Sequence, residues 1–362
     1  MGPLVIAAGG TGGHMFPALA LAQELRGRGR DVALVTDSRG ARYVGDLPCH
    51  LISAGSPSGS PTAQLAGVGR LAVGMAQSLA LFARLRPSAA ACFGGYASVP
   101  PALAAAAVGK PLMLHEQNAI LGKANRLIAR FAGRVALSFE HTERTARLPA
   151  GRRIVTGNPV RPSFTAGHVR YDPPNRGQPF RLLVLGGSQG ARVFSDVVPG
   201  GVALLPETLR HRLQITQQCR AEDIERARAA YAALGMAPVL EPFFADVPKL
   251  MAETHLVVTR SGASTVAELL AVGRPSLLVP YAFAADDHQR ANAAQLCDAG
   301  AADMVIERAF SAGALAERLR VLMEEPARLE SMAMRARAVA RTDAAQRLAD
   351  AMLAMVPREA LA

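Results

Sequence analysis

Three glycine-rich turns hold most of the residues whose types and spacing could do chemistry: Gly9-Gly10-Thr11-Gly12-Gly13-His14, Gly94-Gly95-Tyr96 and Gly186-Gly187-Ser188-Gln189-Gly190. Each follows an apolar run that reads as a strand. Glycine leaves backbone N–H groups bare, so a diphosphate can approach them closely. A fourth polar turn, Arg260-Ser261-Gly262, leads into a helix expected to begin near Ser264 or Thr265 and to stop at Gly273 before Pro275. A helix N-terminus carries partial positive charge and suits an anionic or hydroxyl-rich ligand. Glu268, one turn into that helix, could accept hydrogen bonds from two neighbouring hydroxyls such as a ribose presents. Taken alone, the same stretch also reads as a capped helix with a solvated Glu268.

Other chemistries lack their residues. A Gly-x-Ser-x-Gly elbow would need serine between Gly55 and Gly59, where Pro57 stands. A dinucleotide fingerprint counted from Gly10 needs glycine where Met15 stands, but Asp37, near the end of the second strand, could hold a ribose, so a nicotinamide-cofactor reading is weakened and not excluded. Lys110 and Lys123 are followed by Pro111 and Ala124, so there is no P-loop. The histidines form no His-x-His cluster and the cysteines no Cys-x-x-Cys pair, so no metal is expected.

The elements that must position these turns alternate strand and helix. Leu4–Ala8 reads as a strand buried on both faces. Pro17 opens a helix reaching about Arg26, and Asp31–Thr36 is the next strand. Ala89–Phe93 leads into the second glycine turn and a helix over Ala102–Val108. A strand over Pro111–Leu114 then delivers His115-Glu116-Gln117-Asn118, four polar side chains at a strand end, as a binding crevice requires. Gly157-Asn158-Pro159-Val160-Arg161-Pro162 is a breaker-rich exit, and Arg181–Leu185 restarts the pattern. The fold class is α/β: two doubly wound, Rossmann-like domains facing across a cleft. They span residues 1–160 and 161–340, and 341–362 form a helix that packs back on the first.

Length and composition agree with that plan. A chain of 362 residues is long for one core, and half its residues are hydrophobic. The net charge of +11 fits an anionic membrane face or a phosphate-bearing substrate. Nucleic acid is disfavoured, because the arginines are scattered without interleaved aromatics. Cys49, Cys92, Cys219 and Cys297 lie far apart and suggest reduced thiols in a cytoplasmic protein. Leu65–Arg86 reads as a helix, either a core helix or an apolar face rimmed by Arg70, Arg84 and Arg86 that rests on a membrane; Gln77 and Ser78 interrupt it too much to span one.

The motifs GGTGGHMFPALALA, GGYASVP, HEQNAILGKANR, GNPVR, GGSQGAR, RSGASTVAE and AADDHQRANA, in this order from residue 9 to residue 292, resemble the MurG family of bacterial peptidoglycan N-acetylglucosaminyltransferases. The resemblance implies a GT-B glycosyltransferase fold, UDP-N-acetylglucosamine as donor, and lipid I, the undecaprenyl-diphosphate-linked N-acetylmuramoyl-pentapeptide, as acceptor. It implies lipid II as product, peripheral attachment to the cytoplasmic face of the inner membrane, cell-wall synthesis proteins as partners, and no cofactor. By the same resemblance Glu268 takes the ribose, and Ala263, Ser264, Thr265 and Val266 present backbone groups to the nucleotide. Phe244 stands where the family often has isoleucine against uracil, so its backbone contact carries over more readily than its packing. Arg161 and Ser188 meet the diphosphate and Gln289 the sugar. Thr11, Gly12, Gly13 and Asn118 approach the transferred sugar, and Gly12, Gly13, Gly94, Gly95 and Tyr96 serve the acceptor.

The implied reaction inverts the anomeric carbon to give a β-1,4 link without a metal, so one base must take the acceptor proton. His14 is the first choice, because it ends the first glycine loop and titrates in the useful range. Glu116 is the rival, and helix capping or diphosphate contact is the plainer role for His14. His115 and His288 read as binding or structural. A related GT-B enzyme with another lipid or small-molecule acceptor, a dehydrogenase, and a non-enzymatic basic binding protein are the alternatives.

Overall fold

A computed structural model describes residues 2–56, 59–166, 169–187 and 190–356 of the chain. It divides into two compact units, the described residues of Met1–Arg161 with Arg341–Ala362, and Pro162–Ala340.

The first unit contains β1 (Leu4–Ala7), α1 (Gly12–Gly27), β2 (Val32–Thr36), β3 (Cys49–Leu51), α2 (Pro61–Leu85), β4 (Ala89–Cys92), α3 (Val99–Ala107), β5 (Leu112–Glu116), α4 (Lys123–Ile128), β6 (Arg134–Leu137) and β7 (Arg153–Val155). Its strands form one parallel sheet in the order β3-β2-β1-β4-β5-β6-β7. Strands buried on both faces need apolar residues at every position, and β1, β2 and β4 have every residue buried. Phe82, Val99 and Ile128 pack on one face of the sheet with β-strand residues such as Leu112. Met15, Leu21 and Leu25 of α1 pack on the other.

The second unit contains β8 (Phe180–Leu185), α5 (Arg192–Ala203), α6 (Glu207–Arg210), β9 (Leu213–Gln218), α7 (Ile224–Ala232), β10 (Val239–Glu241), α8 (Val247–Glu253), β11 (Leu256–Thr259), α9 (Ala263–Val272), β12 (Ser276–Leu278), α10 (His288–Asp298), β13 (Ala302–Met304), α11 (Ala312–Glu324) and α12 (Pro326–Val339). Its parallel sheet runs β10-β9-β8-β11-β12-β13. The final helix, α13 (Ala344–Leu353), belongs to the first unit, where Leu348, Ala349 and Met352 join Met15 and Leu21 in the core.

In both sheets the chain winds outward from a central strand and then crosses to its other side. Leu4 of β1 pairs with Val32 on one flank and Ala89 on the other. Leu182 of β8 likewise pairs with Ile215 and Leu256. Ligands in open α/β sheets bind beyond the carboxyl ends of the strands at this switch point. The strand order therefore brings the turns after β1 and β4 together, and those after β8 and β11.

Several boundaries differ from the sequence expectation. Helix α1 begins at Gly12 and holds Pro17 inside it, so His14 sits in the first helical turn and not in the loop. Thr11 is extended and the glycines that follow carry no side chain to oppose an early start. Strand β5 runs two residues further than expected and takes in His115 and Glu116, whose polar atoms find partners inside the fold. Helix α2 starts at Pro61, where the Ser60 hydroxyl accepts from the Ala63 N–H. At 25 residues, with a mean hydropathy of 1.4 over its most apolar window, it is long and apolar enough to cross a membrane by those two measures, contrary to the expectation that it falls short. Only 28% of that window is buried, the face carrying Gly67, Gly74, Ser78, Leu81 and Phe82 turning inward.

Candidate functional site

The first glycine turn is built from close contacts. A Cβ at Gly9 would lie 2.2 Å from that of Ala97, so the turn after β1 packs directly on the turn after β4. Gly95, at φ +72, takes a left-handed conformation and its Cβ position lies 3.0 Å from the Gly9 carbonyl oxygen. Ser98 ties the two turns, its hydroxyl donating to the carbonyls of Ala7 (2.9 Å) and Gly94 (2.7 Å).

His14 stands against this pair. Its Nδ1 lies 3.2 Å from the Gly9 carbonyl oxygen, and its ring borders Gly94 and Gly95. A carbonyl only accepts, so in the neutral ring Nδ1 carries the hydrogen and Nε2 the lone pair. The ring is half-buried. Thr11 is exposed and makes no capping bond through its side chain, Gly13 is exposed, and Gly12 is buried beneath Phe16. The first turn of a helix leaves N–H groups without intrahelical acceptors, and here it is Gly12 and Gly13 that present them. Tyr96 is half-buried at the head of a 3-10 turn.

Asp37, which a dinucleotide reading would set against a ribose, is committed elsewhere. It is 4% exposed and accepts from Gly10 N–H (3.2 Å), Gly40 N–H (2.9 Å) and the Arg39 guanidinium (2.8 Å). Burial raises its carboxyl, but the bonds from Arg39, Gly40 and Gly10 outweigh this and leave it below the ordinary value. Its work is to hold the first glycine turn in place.

Glu116 is a buried clamp. One carboxylate oxygen accepts from the backbone N–H and side-chain amide of Asn118 (2.9 and 3.2 Å), the other from Gly122 N–H (2.9 Å) and Asn125 (2.7 Å). Burial pushes its carboxyl up, against the pull of those four bonds. These contacts fix Asn118 and the start of α4. His115 beside it is fully enclosed. Its Nε2 lies 3.1 Å from the Gly157 carbonyl oxygen, and burial pushes it down to about 4. Arg161 sits with the first unit, its guanidinium 5.2 Å over the Phe16 ring of α1.

In the second unit α9 begins at Ala263 with Gly262 as its N-cap and no capping side chain. Ser264 and Thr265 lie in its first turn. The Ser264 hydroxyl is buried without a hydrogen-bond partner among the described residues. Ala263 and Val266 are buried, and Glu268 lies half-buried further along the same helix. Phe244 is half-buried after β10, beside the more exposed Phe243. Ser188 lies outside the described residues. Gly186, directly after β8, donates its N–H to the side chain of Gln218 (3.0 Å), which in turn donates to the Pro242 carbonyl (3.2 Å).

Gln289, at the start of α10, is more constrained than its sequence suggests. Its side-chain carbonyl accepts from Ser261 N–H (3.3 Å) and Tyr281 N–H (3.0 Å), and its backbone carbonyl accepts from the Ser261 hydroxyl (2.7 Å). Asn292, one turn on, donates to the Ser261 carbonyl (3.0 Å). The preceding Asp286 and Asp287 both adopt left-handed backbone conformations, which Asp tolerates better than most residues. A cavity of about 450 Å³ in this unit, lined by Arg181, Leu213 and Val239 among others, opens near the starts of β8, β9 and β10, away from these turns.

Sequence reasoning missed Asp37 as a loop anchor, and it missed Arg260, Glu307 and Gln218 altogether as organisers of the turns. Arg260 is 8% exposed and pairs with Glu307 at 2.8 Å. A buried arginine within a polar turn is the one signal for it.

Comparison with known proteins agrees with this architecture. Residues 4–137 match the glycosyltransferase family 28 N-terminal domain and residues 181–348 its C-terminal domain. The chain is 48% identical over 363 aligned residues to the UDP-N-acetylglucosamine–N-acetylmuramyl-(pentapeptide) pyrophosphoryl-undecaprenol N-acetylglucosamine transferase of Paramagnetospirillum magneticum, covering 99% of this chain and 98% of the relative. It is 49% identical to the protein of the same name from Rhodospirillum rubrum, covering 96% and 90%. Among solved structures, Acinetobacter baumannii MurG superposes with a TM-score of 0.80 at 30% identity, covering 97% of this chain and 99% of that one. The kitacinnamycin glycosyltransferase, at 17% identity and a TM-score of 0.73, shares the fold. The chain belongs to glycosyltransferase family 28 and, within it, to the MurG family of UDP-N-acetylglucosamine–N-acetylmuramyl-(pentapeptide) pyrophosphoryl-undecaprenol N-acetylglucosamine transferases.

Proposed function

We propose that this chain moves N-acetylglucosamine from UDP-N-acetylglucosamine to lipid I, forming lipid II for peptidoglycan. The observation that carries the substrate pair is near-full-length identity of 48% to relatives named for that transfer.

The chemistry follows from the turns. The donor is held by the second unit: Glu268 takes the ribose hydroxyls, the N-terminus of α9 faces the nucleotide, and Gln289 reads the sugar. The first turn of α1, with Gly94, Gly95 and Tyr96, serves the acceptor diphosphate. His14 is the base. Its Nε2 removes the proton of the acceptor hydroxyl as that oxygen attacks the anomeric carbon. The bond to the diphosphate breaks with its electron pair, and UDP leaves. One in-line displacement inverts the centre, giving a β-1,4 link from an α-linked donor. Arg161 and helix N-termini stabilise the leaving diphosphate, so no divalent ion is required. Glu116 positions Asn118 and is not the base, since each of its oxygens already accepts two hydrogen bonds.

The acceptor is anchored by its lipid, so the enzyme works at the cytoplasmic face of the inner membrane. Helix α2 supplies the contact, with Leu65 (75%), Val68 (54%) and Val73 (53%) exposed beside the arginines Arg70 and Arg84.

The test is to incubate the protein with UDP-N-acetylglucosamine and a soluble lipid I analogue in EDTA and to analyse the product by NMR. A β-1,4-linked disaccharide formed in EDTA is expected. An α-linked product, or a strict need for divalent metal, would overturn the mechanism.

A further inference from the structure

We propose that Glu307, acting through Arg260, is a positioning residue for donor-sugar recognition, setting the loop Val279–Ala282 and through it the side-chain amide of Gln289. This rests on the donor-site reading above. Glu307 opens a 3-10 turn after β13, outside every motif that marked the site in the sequence.

The pair is a cross-tie between loops. Arg260 follows β11. One of its terminal nitrogens donates to the carbonyls of Val279 (3.1 Å) and Pro280 (3.4 Å), the other to Glu307 at 2.8 Å. The second oxygen of Glu307 accepts from Ala282 N–H at 2.7 Å. The guanidinium also lies against the rings of Phe194 (5.4 Å) and Tyr281 (5.3 Å). The loop after β12 is thus held at three backbone points, two by the cation and one by its counter-ion.

The consequence falls on Gln289. Tyr281 N–H, in the middle of the clamped segment, is one of the two donors to its side-chain carbonyl. Those two donors settle the amide orientation: the oxygen faces the turns, and the NH2 group is what a ligand meets. A sugar hydroxyl placed there must accept. If the loop shifts, the Tyr281 bond is lost and the amide can rotate to show its oxygen instead.

A buried ion pair by itself is weak evidence of stabilisation, because desolvation offsets much of the attraction. What singles this pair out is where its remaining bonds go: all of them end on the backbone of one loop. Glutamine at 307 could still accept from Arg260 or from Ala282 N–H with its one oxygen, but not serve both. Alanine would leave the cation without its partner.

The experiment measures binding of UDP and of UDP-N-acetylglucosamine, with donor and acceptor KM, for wild type, Glu307→Gln, Glu307→Ala, Gln289→Ala and the Glu307→Gln/Gln289→Ala double variant. A lost or misdirected hydrogen bond to the sugar is worth about tenfold in affinity, so Glu307→Gln should weaken UDP-N-acetylglucosamine by about that factor. UDP binding and the acceptor KM should stay near wild type. The double variant should be no weaker than Gln289→Ala alone, since both act through one amide. Equal losses for UDP and UDP-N-acetylglucosamine, additive losses in the double variant, or an unchanged donor KM in folded Glu307→Gln would each overturn the inference. Should Glu307→Ala not fold, the glutamine variant and the double variant decide it. Wild type that binds neither ligand would instead sink the donor-site reading itself.

Discussion

The Nδ1 atom of His14 lies 3.2 Å from the Gly9 carbonyl oxygen, and this contact puts the ring hydrogen on Nδ1 and the lone pair on Nε2. Gly9 belongs to the turn that Ala97 packs against, so the same contact that sets the tautomer also fixes the ring relative to both glycine turns. His14→Ala should therefore lower kcat by about 10² to 10⁴ while leaving UDP-N-acetylglucosamine binding within a few-fold. Turnover near wild type would remove His14 from the role of base.

Asp37 holds Gly10 and Gly40 by their N–H groups. Asp37→Ala leaves the Gly10 N–H unmatched, at a cost of about 1–3 kcal/mol, while the Gly40 N–H keeps its bond to the backbone carbonyl of residue 37. The variant should melt several degrees lower and lose activity in proportion to its disordered first turn. Because the folded carboxyl lies below its ordinary value, its contribution is present at neutral pH and is lost as pH falls through that depressed value. Thermal melts from pH 7 downward check both points, and the variant's melting curve should respond less to acid than that of wild type.

His115 gives a separate pH dependence. It stays neutral when folded, with its value at about 4, while the unfolded chain takes up a proton near the ordinary 6.5. Between those values the unfolded state binds more protons, so stability rises with pH across this window and falls on acidification. The loss from pH 7 to pH 5 is about 2 kcal/mol for this one group. A stability profile flat across that window would contradict the neutral assignment.

The turns and most of the helices were legible because their signals are local: an apolar run, then glycine, then helical spacing. The doubly wound order follows from that alternation. The role of Asp37 was not legible, because its partners are backbone N–H groups, and sequence shows side chains. The same holds for Arg260 and Glu307, which are 47 positions apart and meet only because β11 and β12 are neighbours with β13 beyond. Glu116 was visible as a polar residue at a strand end. The four bonds that make it a clamp on Asn118 and the start of α4 depend on how the chain folds back at Gly122 and Asn125.

Helix α2 sets a fourth expectation. Replacing Leu65 and Val68 together by glutamate adds two negative charges to an exposed apolar face. Binding to anionic vesicles should fall by about tenfold or more in a sedimentation assay, with unchanged turnover on a detergent-soluble acceptor. Undiminished vesicle binding would place the membrane contact elsewhere on the protein.

The central claim is tested most directly by transfer of labelled N-acetylglucosamine from its UDP donor to a lipid I analogue, comparing wild type with Glu268→Ala. The account predicts labelled product from wild type, and a donor KM raised about tenfold or more in the variant as the ribose contact is lost. Folded wild type that makes no product and does not bind UDP would contradict it.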